Sequence, residues 1–215
     1  METFILILDI IGAIAFAYSG VIVAIKHKMD LLGVILLGCI TACGGGVFRD
    51  ILLSKNPSLF TVYPNYELIS AFATSIVLFL FFYFKKNMSF FNKLWFKTLN
   101  TILDAIGLGI FVIIGANVAT NNNCNWFEVM FLATLTGIGG GILRDLLALR
   151  IPVIFSKHIY AVAAILEAVL YYVLTINGAN VVASIIICVL LVVVIRFLAF
   201  KYEIDLPHVD LKTEE

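Results

Sequence analysis

The 215-residue chain is 62% hydrophobic and only 13% charged, with a mean hydropathy of +1.09, whereas soluble domains hold about 45–50% apolar and about 25% charged residues. That excludes a soluble globular domain and points to an all-α integral membrane protein. Fourteen basic residues balance fourteen acidic ones, so there is no net positive field to draw in nucleic acid.

Segments of about 20 apolar residues cross a bilayer as helices, and seven segments fit: 4–25, 31–53, 67–84, 98–118, 126–149, 159–176 and 179–200. The first reads as a span and not as a signal peptide, because METF ahead of it has no basic residue. It carries Asp9, Gly12 and Gly20. The second contains Thr41 and then ACGGGVFRD, which places Gly44, Gly45 and Gly46 ahead of Arg49 and Asp50. Each choice is expensive there: a glycine costs a helix interior about 1 kcal/mol against alanine, and a charge at bilayer depth about 2.5–3.5 kcal/mol. The third ends in VLFLFFYF, an apolar face for lipid or a sister protomer. The fourth carries Asp104. The fifth repeats the second, with Thr136, then Gly139, Gly140 and Gly141, then Arg144 and Asp145. The sixth holds Glu167, an intramembrane acid and therefore a functional candidate, with a bond from Tyr171 or Tyr172 as its structural alternative. A seventh span follows, and the polar stretch 201–215 reads as a cytoplasmic tail.

Lysine and arginine in short loops set orientation. Lys26 and Lys28, then Lys85, Lys86, Lys93 and Lys97, then Arg150 and Lys157, then Lys201 and Lys212 fall on one side. The other side carries almost only Lys55. The N-terminus is therefore expected outside and the C-terminus in the cytoplasm, in a multi-pass protein of the inner (plasma) membrane.

Gly44 and Gly139 are 95 positions apart, and the same offset relates Asp9 to Asp104, Gly12 to Gly107, Phe16 to Phe111, Gly20 to Gly115, Thr41 to Thr136, Arg49 to Arg144, Asp50 to Asp145 and Pro57 to Pro152. Each half holds three spans, so the second starts from the opposite side of the membrane. The expected organisation is a three-helix repeat over 4–84, an inverted one over 98–176, a seventh helix over 179–200 and the tail. Glu167 has no acidic counterpart, since Phe72 stands there.

Interrupted helices at matching positions of inverted repeats mark a substrate or ion path. The triplets lie near mid-span, and the expectation is that helices two and five kink there and free carbonyls to face cations. The ion path then comprises Gly44, Gly45, Gly46, Gly139, Gly140, Gly141, Thr41 and Thr136. Arg49, Asp50, Arg144 and Asp145 serve either that path or as structural ion pairs, and Gly12, Gly20, Gly107 and Gly115 let helices pack closely. Leaflet by leaflet, Asp9 is placed to reach Arg49, and Asp104 to reach Arg144.

The paired GGGxxRD motifs in two three-span repeats, followed by a seventh span, resemble the prokaryotic branch of the trimeric intracellular cation channel family, over about residues 4 to 200. The resemblance implies a homotrimer in membrane lipid, with a pore in each protomer, kinked at the triplets and permeable to potassium or sodium. Bacterial members are also classed as glycine transporters, and the alternative is a secondary transporter of glycine or another small amino acid. No cofactor and no resident metal are expected. An enzyme is not expected either: His27, His158 and His208 are dispersed, the four cysteines form no CxxC pair, and no GxxxxGK[ST] phosphate loop occurs.

Overall fold

The computed structural model describes residues 2–85, 93–156 and 159–204. Lys86, Lys157, Lys212, His158, His208 and the tail from 205 onward lie outside the described residues. The elements are α1 (Glu2–Lys26), α2 (Leu31–Leu52), α3 (Ser58–Thr61), α4 (Tyr66–Lys85), α5 (Leu94–Asn121), α6 (Trp126–Leu147), α7 (Val153–Ser156), α8 (Tyr160–Ile176) and α9 (Val181–Lys201). Six of them are long and apolar enough to cross a membrane, and α8, with 17 residues, is a shorter apolar helix. At 1.5 Å per residue α8 extends about 25 Å, at the lower limit for a span. Among the described residues the protein is thus an all-α membrane protein with seven apolar helices.

The 95-residue offset recurs in the backbone itself. Lys28 and its mate Asn123 both take left-handed φ, at 56° and 57°, as do Ser54 and Leu149, at 55° and 54°. Asp30 caps α2 by accepting from the Gly33 amide at 2.8 Å. Its counterpart Asn125 caps α6, accepting from Glu128 N at 3.1 Å, while Glu128 reaches back to the Asn125 amide at 2.8 Å. These caps satisfy amides that a helix end leaves unpaired. After Pro57 and Pro152 the short helices α3 and α7 start at equivalent positions, 58 and 153.

Contacts between the halves are reciprocal. The Phe16 and Phe111 rings meet each other at 5.2 Å between centroids, and α2 crosses α6 at positions that exchange under the offset. A contact in which each half offers the other the same surface is the mark of a two-fold axis. Three spans per half put equivalent helices in opposite directions, so the repeat is inverted. Buried alanines line the seams around that axis, among them Ala13, Ala17, Ala42 and Ala116, where small residues allow helices to approach closely in lipid. The ninth helix stands outside the symmetry and packs on α5 and α8.

Candidate functional site

At the centre, α2 and α6 touch backbone to backbone. A Cβ on Gly45 would collide with the carbonyl oxygen of Thr136, and one on Gly140 would collide with that of Thr41. A Cβ on Gly139 would lie 3.0 Å from Gly45 Cα. Both helices stay helical through every residue of their triplets. The opened backbone with freed carbonyls expected from the glycines is therefore not what this fold contains: the glycines serve close approach, and the carbonyls stay in the helix. Gly12 and Gly107 do the same for the α1 and α5 crossing, where a Cβ on Gly107 would enter the Phe16 ring. The hydroxyls of Thr41 and Thr136, both buried, donate back to Leu37 O at 2.5 Å and Leu132 O at 2.6 Å. Their accepting lone pairs and their carbonyls flank the crossing.

Beyond the crossing, on either side of the two-fold axis, the third glycine of each triplet faces an arginine. A Cβ on Gly46 would be 3.7 Å from Arg49 Nη2, and one on Gly141 would be 3.7 Å from Arg144 Nη2. Each arginine pairs with the aspartate next to it: Arg49 Nη2 with Asp50 Oδ1 at 2.7 Å, and Arg144 Nε with Asp145 Oδ1 at 2.7 Å. The second carboxylate oxygen then accepts the first amide of the following short helix, from Ser58 N at 2.8 Å and from Val153 N at 2.9 Å. So the RD pair in each repeat ties the end of a long helix to the loop that leaves it, with a charge-assisted bond at each end.

The two charged clusters differ beyond that shared core. In the second repeat Asp104 meets Arg144 as the leaflet argument requires, at 2.7 Å. It also binds Arg196 of α9 at 2.7 Å. Ser19 bridges them, accepting from Arg144 Nη1 at 2.5 Å and donating to Asp104 Oδ1 at 3.0 Å. The Arg196 guanidinium lies 3.9 Å over the Tyr160 ring, a favourable stacking for a buried cation. Arg150 adds a further 2.5 Å contact to Asp145.

In the first repeat, the Asp9 and Arg49 pair expected from sequence does not form. Asp9 is half-buried and feels Arg49 only through space. The reason lies in neighbours that do not repeat: Ile114 stands where Ser19 would be needed, and among the described residues no helix corresponds to α9 and its Arg196. Instead Glu67, whose counterpart is Val162, sits within electrostatic range of Asp9, Arg49 and Asp50. The first cluster thus holds three carboxyls, from Asp9, Asp50 and Glu67, against one guanidinium. The second holds Asp104 and Asp145 against Arg144, Arg150 and Arg196.

Arg196, Ser19, Tyr160 and Glu67 join the site without having been expected there, and Arg150 was expected only as a loop charge. Arg196 was legible, as a single charge deep in segment 179–200 that must find an acid. Glu167 is fully buried, with neither carboxyl oxygen hydrogen-bonded. The Tyr171 hydroxyl does not reach it and goes to Asn117 Oδ1 at 3.0 Å. Among the described residues, no group of three or more His, Cys, Asp or Glu side chains is placed to hold a metal ion.

The sequence model of the glycine transporter family matches this chain twice, over residues 6–83 and 101–176. The chain belongs to that family. The two matched stretches of this family member begin 95 positions apart, the offset already seen in its glycines and caps, and α9 lies outside both. The UPF0126 inner membrane protein YadS of Escherichia coli (strain K12) is 35% identical over 206 residues, covering 93% of each chain. The UPF0126 membrane protein YvgT of Bacillus subtilis (strain 168) is 42% identical over 160 residues, covering 74% of this chain and 75% of that one. Among solved structures, a TRIC cation channel studied for its conductance superposes with a TM-score of 0.82 at 34% identity, over 96% of this chain and 98% of the other. The TRIC trimeric intracellular cation channel orthologue from Rhodobacter sphaeroides has a TM-score of 0.82 at 29% identity, over 94% and 100%. This family member therefore shares the TRIC fold.

Proposed function

We propose that the protein is a cation channel of the inner membrane, permeable to potassium and assembled as a homotrimer with one path through each protomer. The observation that carries the choice of ion is the charge balance of the first cluster, where three carboxyls face one guanidinium that Asp50 already holds at 2.7 Å. Carboxyl oxygens left without a cationic partner are ligands for a hard cation and not for an anion. The α2 and α6 crossing closes the path, and conduction requires the two helices to part. When they do, the hydroxyl and carbonyl oxygens of Thr41 and Thr136 line the gap as two symmetry-related pairs, hard oxygen ligands suited to an alkali cation. Likeness to proteins described as cation channels supports the same reading. The proposed work is passage of ions and not catalysis.

The family model's description favours a second reading, a transporter of glycine. A zwitterion needs a free cationic group for its carboxylate as well as oxygens for its ammonium, and both triplet arginines are already held by acids. The two readings separate by experiment. Purified protein in planar bilayers is expected to pass unitary potassium currents, and in proteoliposomes not to accumulate labelled glycine. Glycine accumulation without potassium current would replace the channel with the transporter.

For orientation, Lys26 lies within electrostatic range of Lys97 and Arg150 at one end of the bundle, and Lys55 near Cys124 at the other. That grouping supports an outside N-terminus under the positive-inside rule. A cysteine replacing Thr3 is expected to react with an impermeant maleimide added outside intact cells, and one replacing Thr213 only after permeabilisation. The reverse pattern overturns the assignment.

A further inference from the structure

Glu167 takes no part in either charged cluster. Its side chain is fully buried in α8, and neither carboxyl oxygen has a hydrogen-bond partner. It is seated where α8, α5 and α9 meet: a Cβ on Gly109 would lie 3.1 Å from Glu167 Oε1 and 3.3 Å from Val189 Cα. The glycine makes the room that the carboxyl fills. At the 95-residue offset Phe72 replaces the acid and Ile14 the glycine, both exposed, at 47% and 44%. The acid and its seat therefore occur together, on the repeat that α9 covers and not on the other.

An ionised carboxylate buried with no partner is too costly to persist, and such a group stays neutral by holding its proton. Ionisation needs water, and water needs α9 to move, because α9 closes the seat. The charges on the surrounding helices are engaged elsewhere: Asp104 of α5 binds Arg144 of α6 and Arg196 of α9, and Asp145 of α6 binds Arg144 and Arg150. Tyr171 of α8 bonds Asn117 of α5. The titratable group that faces the carboxyl is the Cys188 thiol of α9, itself fully buried. We propose that Glu167 is a proton-binding site that holds α9 in place: with the proton bound the helix stays against α5 and α8, and loss of the proton frees it. The consequence reaches the second charged cluster, since Arg196 lies about two turns beyond Cys188 among the buried residues of α9 and binds Asp104 at 2.7 Å. Releasing α9 draws Arg196 from Asp104, so the proton and the ion pair act on one element. None of this depends on what the protein conducts.

The test uses the full-length protein in detergent, and dicyclohexylcarbodiimide, an apolar reagent, reads the proton. The carboxyl proton moves to one carbodiimide nitrogen, the carboxylate oxygen bonds the central carbon, and the O-acylisourea rearranges to a stable N-acylurea, so the whole reagent is added and nothing leaves. An adduct mapped to Glu167 by mass spectrometry is expected at acidic pH, its rate falling about tenfold for each further pH unit once the carboxyl ionises. Cys188 reads the helix. With Cys39, Cys43 and Cys124 replaced by alanine, its alkylation by N-ethylmaleimide is compared with that in the same protein carrying Glu167→Gln, so that the pH dependence of the thiolate itself cancels. Equal, slow rates are expected at acidic pH, and at alkaline pH a rate at least about tenfold higher with Glu167 than in the Glu167→Gln variant. Where the alanine replacements lower stability, hydrogen exchange of the α9 amides, with and without Glu167→Gln in the otherwise unaltered chain, makes the same comparison. Equal rates at every pH overturn the proposal, as does the absence of a Glu167 adduct at any pH. A protein that gives both expected results and passes no potassium current keeps the proton site and loses only the channel reading.

Discussion

Alanine at Gly45 and Gly140 together is expected to prevent α2 and α6 from seating against each other. Each added methyl points at a backbone carbonyl, of Thr136 or of Thr41, and backbone in a packed helix cannot rotate aside as a side chain can. Overpacking of this kind costs about 1–3 kcal/mol per site. The better helix propensity of alanine returns about 1 kcal/mol per site, so the balance is a net loss. The two sites share one crossing, and their effects are not expected to add. Gly46→Ala is the contrasting variant, since its Cβ would meet only Arg49 Nη2, at 3.7 Å, and should be tolerated. Thermal unfolding in detergent checks both. A double variant at least as stable as wild type would show that the glycines are not there for contact. Carbonyls freed at the triplets would instead make the same pair of substitutions lower potassium flux in a protein that stays assembled. The structure predicts that flux falls because assembly falls.

Asp104→Asn is expected to be the most damaging single charge substitution. Arg144 and Arg196 both place Nη1 at 2.7 Å from its carboxylate, with side chains 4% exposed. Neutralising the acid leaves two buried guanidiniums with one anionic partner fewer between them. Breaking a buried pair from one side costs about 3–5 kcal/mol. Asp9→Asn, at the equivalent position of the first repeat, is expected to change stability by less than about 1 kcal/mol, because no ion pair or hydrogen bond is lost. Adding Arg196→Gln to Asp104→Asn should recover part of the loss, with a coupling of about 0.5–3 kcal/mol in the double-mutant cycle. Equal losses for Asp9→Asn and Asp104→Asn, measured as thermal midpoints, would refute the asymmetry between the clusters.

That asymmetry also marks how far reading along the chain could go. Asp104 with Arg144 was legible because both residues lie on adjacent spans in one leaflet, and span order alone brings them together. Asp9 with Arg49 satisfied the same rule and does not pair. The difference comes from Ser19, Glu67 and Arg196, three residues whose counterparts are Ile114, Val162 and nothing at all. Glu167 was legible as an acid inside a span, but its expected tyrosine partner turns instead to Asn117.

The glycine triplets draw the same boundary more sharply. Hydropathy and the 95-residue offset determine the membrane class, the number of apolar spans, the inverted repeat and the helices that matter, because these depend on spacing and on transfer of side chains into lipid, both local to the chain. What three glycines do is not local. A missing Cβ permits a broken helix and a close crossing equally, and the choice depends on whether another backbone stands within reach. Only the packing of α2 on α6 supplies that backbone, at Thr136 opposite Gly45 and at Thr41 opposite Gly140. The fold decided for contact because a hydrogen-bonded helix in lipid keeps its carbonyls satisfied, whereas an opened one must find other partners for them.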